Sequence, residues 1–272
     1  MSKNRKQRLF ERKGTVLGVY LTLRFLVFLT MVRQFFNKDY ESVLICILTL
    51  FLFMLPSILS KRLHIELPDT LQIVILLFIF AAEILGEIRE FYIRIPQWDT
   101  ILHTINGFLF AAIGFCIVNL LNEDKNIAMT LSPFYMAVAA FCFSMTIGVL
   151  WEFFEWGMDT LLQLDMQKDT AVEMISSVTL HPESKNVPVV IEGIQQTVLL
   201  LEDGTQYKLP LTGYLDPGLQ DTMKDLLVNL LGAVVFSCFG YFYIKTKGSG
   251  KIAKHFIPTV LESAEEPESG EE

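Results

Sequence analysis

Residues 101–121 read ILHTINGFLFAAIGFCIVNLL, an apolar run without a formal charge, in which His103, Thr104, Asn106 and Asn119 are the polar interruptions. A helix needs roughly 20 mainly apolar residues to cross about 30 Å of hydrocarbon, because each residue rises about 1.5 Å. This run meets that length. Comparable runs lie at Gly14–Val32, Val43–Leu59, Leu71–Ile88, Phe134–Trp156 and Leu226–Ile244, so six spans are expected. Composition agrees: 52% of the 272 residues are hydrophobic, 12% aromatic and 19% charged, with a mean hydropathy of +0.43. A soluble domain carries nearer 25% charge and does not repeat such runs. The expected fold is an all-α polytopic membrane protein of about six transmembrane helices, with the lipid bilayer as its first partner.

The connections carry the expected punctuation: Asn37-Lys38-Asp39, Lys61-Arg62, Pro96, the polar stretch 122–126 and Ser132-Pro133. Pro56 falls late in the second span, where it is expected to kink the helix. The basic N-terminus followed by an apolar run resembles a signal peptide. The run is too long, however, and no small-residue cleavage site follows, so it reads as a retained span. Lys and Arg concentrate on the side that holds Arg5, Lys6, Arg12, Lys13, Lys245 and Lys247. That bias places both termini in the cytoplasm of a multi-pass cell-membrane protein. The expected organisation is a basic arm at 1–13, five spans within 14–156, an extracytoplasmic insert at 157–218, a sixth span at 219–244 and an acidic, disordered tail at 245–272.

Inside the insert, Thr197–Leu201 and Gln206–Leu211 flank Glu202-Asp203-Gly204, which reads as a β-hairpin with a glycine-containing turn. A connection this long is usually functional or disordered. Its strand-like content predicts a small ordered cap. Cys46, Cys116, Cys142 and Cys238 all lie in apolar runs, so they read as packing residues and write no disulfide framework.

Charge near hydrocarbon is costly and needs a partner, a wet cavity or a function. The third span carries Glu83 and Glu87. The fourth opens with Asp99 and continues to His103 and Asn106. The fifth ends in Trp151-Glu152-Phe153-Phe154-Glu155-Trp156. The sixth opens with Asp221, Asp225 and Asn229, spaced to share one helix face. Successive spans alternate direction, so these groups are expected at one membrane face. His103 should lie about 6 Å deeper than Asp99, and Asn229 about 6 Å deeper than Asp225. Asp99 and Asp221 suit helix N-termini, where the dipole favours an acid, and Asp216-Pro217 reads as a cap followed by a first-turn proline. Glu83, Glu87, Glu152 and Glu155 crowd C-terminal ends, where the dipole opposes them; a partner or ligand is expected there. Arg24, in the first span, is expected to pair with an inward acid such as Glu83. Trp98, Trp151 and Trp156 fit an aromatic belt.

Three ordered motifs then suggest a relationship: Trp98-Asp99-Thr100-Ile101-Leu102-His103 with Gly107; the Trp151–Trp156 stretch; and Asp221-Thr222-Met223-Lys224-Asp225 leading to Asn229 and Leu231-Gly232-Ala233. Together they resemble the YjdF-like bacterial inner-membrane proteins and, more distantly, the VanZ-like group. The likeness covers roughly residues 83–240 and departs in the long insert. It implies the helical membrane fold and the grouping of the acids, and little about a reaction.

Three functional classes remain open. A membrane-embedded enzyme would use His103, Glu155 and Asp225 as acid/base groups, or Asp99, His103, Glu155 and Asp225 as ligands of a divalent cation. Glu152, Asp221, Asn106, Asn229, Glu83 and Glu87 would support them. An oxygen-rich set with one histidine suits magnesium, manganese or calcium better than zinc, and His64, His181 and His255 are poorly placed to add to it. The substrate would be lipid-linked or phosphorylated, at the outer leaflet. A cation- or proton-coupled transporter would use the same groups as a vestibule, with a small molecule, lipid or ion as ligand. A structural scaffold would use them as a packing network. Nucleotide-binding loops, a dinucleotide fingerprint and a serine-hydrolase elbow are absent, and nucleic-acid binding has no support.

Overall fold

The first hairpin shows how local chemistry sets the architecture. Helix α1 (Lys3–Phe36) ends where Lys38 takes φ 62°, and Asp39 then caps α2 (Tyr40–Leu52) by accepting from the Ser42 amide at 3.1 Å. The Ser42 hydroxyl adds a second bond at 2.6 Å, and together these hold the Asp39 carboxyl below the usual carboxylate range. The computed structural model describes residues 3–63, 65–123, 130–246, 255–257 and 259–260. His64, most of the 122–126 connection and the acidic tail beyond 260 lie outside them.

Among the described residues, six helical stretches are long and apolar enough to span a membrane: Gly14–Phe36, Tyr40–Arg62, Asp69–Ile88, Trp98–Asn122, Pro133–Leu162 and Leu219–Lys245. The second stretch is broken, as Pro56 leads one to expect. Helix α2 stops at Leu52 and α3 (Leu55–Leu63) restarts with Pro56 in its first turn, where a missing amide costs little. The short strand β1 (Ile65–Glu66) precedes α4 (Asp69–Ile79). From Phe80 to Ile88 the third span is not α-helical but π-helical, a widening that composition does not announce. A single turn, α5 (Phe91–Arg94), leads to α6 (Trp98–Glu123), and then come α7 (Pro133–Leu162) and α8 (Leu219–Lys245).

The chain divides into two compact units, Met1–Gly148 with Val228–Glu272, and Val149–Leu227. In the first unit, one core joins Leu71 of α4, Leu109, Ala112 and Phe115 of α6, Met136 and Ala140 of α7, and Ala233 and Phe236 of α8. A second core joins Leu23 and Val27 of α1 to Cys46, Phe53, Leu76, Ile79 and Ile84. Large apolar side chains such as Phe25, Leu44 and Phe51 stay exposed, as lipid-facing positions should. Helices α6 and α8 approach backbone to backbone. A Cβ on Gly107 would collide with the Asn229 carbonyl, and one on Gly232 with the Thr104 carbonyl. Only glycine permits this contact.

The second unit holds the C-terminal part of α7, the strands β2 (Thr170–Val172), β3 (Ile175–Ser177), β4 (Val189–Ile191), β5 (Val198–Leu200), β6 (Gln206–Lys208) and β7 (Tyr214–Asp216), and the start of α8. The expected hairpin is present: β5 pairs antiparallel with β6, Val198 opposite Lys208. Its turn is set by Gly204 at φ 83° and by Asp203 accepting from the Thr205 amide at 2.8 Å. Two further antiparallel ladders, β2 with β7 and β3 with β4, had no local signal in the sequence. Helix α7 also continues past Trp156 to Leu162, because Gly157 does not stop it. Asp159 then turns the chain by accepting from the Met166 and Gln167 amides at 2.6 and 2.8 Å. Asp216 caps α8 through the Gln220 amide at 2.8 Å. The helix begins at Leu219, beyond the expected first-turn proline, because Gly218 at φ 80° intervenes.

Candidate functional site

The fourth span supplies the site's clearest pair. On α6, Asp99 and His103 stand one turn apart, with His103 Nε2 3.4 Å from Asp99 Oδ1. The His103 side chain is 10% exposed and that of Asp99 25%. In the same first turn, Trp98 Nε1 and Thr100 Oγ1 are buried atoms with no hydrogen-bond partner among the described residues. Buried donors of this kind are rare and call for an acceptor. Phe91 fixes the Trp98 ring by an edge contact, centroids 5.0 Å apart. Trp98 was read from sequence as a belt residue; its buried, unmet indole N–H makes it part of the polar site.

One turn deeper, Asn106 Nδ2 donates to Asn229 Oδ1 at 3.3 Å, which ties α6 to α8. Asn229 is 1% exposed. Ser144 of α7 donates to the Gly107 carbonyl at 2.7 Å and completes this floor. Ser144 is buried, and as a lone serine in an apolar run it carries no signal in the sequence.

Helix α8 runs without interruption from Asp221 through Asp225 to Asn229, so Asp225 stands on the Asn229 face one turn earlier. Asp225 is 1% exposed. In the first unit, Asp99 and His103 each offer one ligand atom, 3.4 Å apart, while Asp225 belongs to the second unit. Oxygen and nitrogen donors bind divalent cations at about 2.0–2.6 Å, so two atoms so spaced can share one ion. Lys224 lies 3.7 Å from Asp221 and 4.0 Å from Asp225. Its place between two aspartates follows from the i, i+3 and i, i+1 spacing.

The remaining acids divide. On α7, Glu155 accepts from Trp151 Nε1 at 2.7 Å, and Glu152 and Glu155 are both buried. The Trp151–Glu155 bond spans four residues, one helical turn, and gives Trp151 a partner where the sequence alone suggests only an aromatic belt. Asp221 accepts from the Lys168 amide at 2.9 Å, which fastens the insert to the start of α8. Glu83 is half-buried on the π-helical segment, and Glu87 is exposed. Arg24 does not take Glu83 as its partner. Its guanidinium donates to Tyr20 Oη at 2.6 Å, one turn back on α1. The nearer hydroxyl on the same helix is the cheaper partner, since no second helix must be positioned to meet it.

Comparison with known proteins adds a lineage. A family model described as "Predicted membrane protein (DUF2238)" matches residues 19–246. An uncharacterised protein of Thermotoga maritima is 29% identical over 126 residues, which cover 44% of this chain and 62% of that protein. This chain therefore matches less than two thirds of that relative's length. No solved structure matches.

Proposed function

The chain belongs to the DUF2238 family of predicted membrane proteins, and from that premise we propose that its Asp99–His103–Asp225 group is a divalent-cation or acid/base site. Within that family we place it with the YjdF-like proteins, on the three motifs above; the more distant VanZ-like kinship rests on the same residues. The single observation that carries the functional reading is the Asp99–His103 pair, 3.4 Å apart beside the buried Trp98 Nε1 and Thr100 Oγ1. Two carboxylates and one imidazole favour magnesium, manganese or calcium.

The substrate we infer is lipid-linked or phosphorylated, reached from the outer leaflet, with both termini in the cytoplasm. Its support is the buried Trp98 Nε1 and Thr100 Oγ1 that bracket Asp99, because phosphoryl or carbonyl oxygens would satisfy such donors. Asp99 and Asp225 would hold the ion, and His103 would hold it or move a proton. Glu155 would act as a base from α7, oriented by Trp151. The ion's contribution would be charge neutralisation at an anionic substrate.

A cation- or proton-coupled transporter is the second reading, favoured by the Asn106–Asn229 pair one turn below His103. Purified protein in detergent decides between presence and absence of an ion site. Manganese, magnesium or calcium should raise Tm in the wild type and fail to do so in Asp99→Asn and Asp225→Asn variants that remain folded. Equal Tm with and without every ion would refute the cation site. Proteoliposome uptake of the stabilising ion would transfer the site to the transporter reading.

A further inference from the structure

The β5–β6 hairpin leaves its apolar side chains exposed. Val198, Leu199 and Leu200 of β5 are 52%, 44% and 72% exposed, and Leu201 and Tyr207 beside them are exposed as well. Among the described residues, β5 and β6 pair only with each other. An isolated two-stranded hairpin is marginally stable in water and gains from added strands.

The register shows which backbone groups are free. The Leu201 amide donates to the Thr205 carbonyl at 2.8 Å, and the Leu209 amide to the Thr197 carbonyl at 3.0 Å. Hydrogen-bonded pairs alternate along an antiparallel ladder, so Thr197, Leu199 and Leu201 turn their backbone groups toward β6. Those of Val198 and Leu200 point to the open edge. The two edges of the hairpin differ. On β6 the outward residues are Gln206 and Lys208, and Pro210 follows. A lysine and a proline are usual guards against edge pairing. On β5 the outward residues are valine and leucine, without a guard.

We infer that β5 is a self-association edge, which pairs antiparallel with β5 of a second copy of this chain about a two-fold axis at Leu199. In this register Val198 exchanges backbone hydrogen bonds with the partner's Leu200, and Leu200 with the partner's Val198; Leu199 faces the partner's Leu199. Tyr207 lies opposite Leu199 within the hairpin, so one row of apolar side chains crosses all four strands. What selects a second copy is charge. The hairpin tip is acidic, at Glu202-Asp203. The antiparallel register carries the partner's Glu202 and the partner's Asp203 toward Gln196 and Gln195. Those two carboxamides line a cavity of about 430 Å³ with Lys208 and Thr212, a set of donors suited to carboxylates. Thr197 steadies this base by donating to the Gly213 carbonyl at 2.8 Å. Parallel pairing would instead set Glu202 against the partner's Glu202, which like charge opposes. The inference concerns the insert alone and is independent of the cation reading.

The test uses full-length protein with Cys46, Cys116, Cys142 and Cys238 replaced by alanine, purified, reconstituted into phosphatidylcholine liposomes and treated with a membrane-permeant oxidant. Leu199→Cys should yield a disulfide-linked dimer on non-reducing gels, since facing residues of this kind lie about 4.5 Å apart at Cα. Val198→Cys and Leu200→Cys should each cross-link about tenfold more slowly alone, because the same residue in the two copies is offset along the strand, beyond the roughly 7 Å limit. Mixed, these two proteins should cross-link to each other, read by mass spectrometry. Glu202→Lys with Asp203→Lys should slow the Leu199→Cys reaction severalfold. Absence of the Leu199→Cys dimer in folded protein, or equal rates at all three positions, would overturn the pairing. So would an unchanged rate in the tip variant. If Leu199→Cys does not fold, the mixed pair decides.

Discussion

Asn106 and Asn229 join α6 to α8 by a side-chain bond of 3.3 Å, with Asn229 buried. The bond stands one turn below His103 and one turn below Asp225, so it sets the level at which the two helices present those groups. Asn229→Ala should therefore destabilise the protein by about 1–3 kcal/mol, since Asn106 is left without its acceptor in a buried place. Thermal unfolding in detergent measures this. An unchanged Tm would show that the floor holds by packing alone.

The glycine contacts on the same two helices are less forgiving. Gly107→Ala and Gly232→Ala each place a methyl group against a backbone carbonyl that cannot move aside. Each should lower stability by several kcal/mol or prevent folding, beyond the 1–3 kcal/mol typical of overpacking. Gly18→Ala on α1, where nothing lies within 4 Å, should leave Tm unchanged.

Trp151 earns a second test. Its indole N–H donates to buried Glu155 at 2.7 Å. Trp151→Phe keeps the ring and removes the donor, and should cost about 1–3 kcal/mol, since a hydrogen bond to a buried carboxyl group is lost. The same change in Trp156, which is exposed, should be nearly neutral. Equal effects at the two positions would reduce Trp151 to an ordinary belt residue.

The insert should respond to pH through Asp169. Burial, and then the nearby Asp165, Asp159 and Asp216 charges, raise its carboxyl above the usual value. A raised carboxyl binds protons more readily folded than unfolded. Its favourable contribution is present at low pH and fades as pH rises through the folded value. Asp169→Asn should thus slow proteolysis of the insert at pH 8 and change it little at pH 4. Limited digestion followed by mass spectrometry reads this, and equal ratios at both pH values would dismiss the effect.

Much of this fold was legible because membrane spans announce themselves by length and apolarity. Residues 101–121 and their five counterparts all became helices. The β5–β6 hairpin was legible because its partners are close in sequence and flank Asp203-Gly204. The β2–β7 ladder was not, because Thr170 and Asp216 meet only after the intervening chain has folded. Of the site, the shared face of Asp225 and Asn229 follows from helical spacing. The bond between Asn106 and Asn229 needed coordinates, since helix rotation is fixed by contacts such as Gly107 with Asn229. Arg24 shows the opposite bias: a distant acid looked attractive while Tyr20, one turn away, supplied the partner.

The π-helical stretch from Phe80 to Ile88 has a bearing on how this chain tolerates insertions and deletions. A wider turn accommodates one more residue than an α-helix would between the same fixed points. Loss of a single apolar residue, Ala81 or Ala82, would leave hydropathy almost untouched, and the stretch could tighten into a regular α-helix. Glu83 would then be swung around the axis relative to α4 while Leu71 and Leu76 kept their seats in the two cores. Length variation among relatives is therefore expected to be confined, within this span, to the Phe80–Ile88 turn.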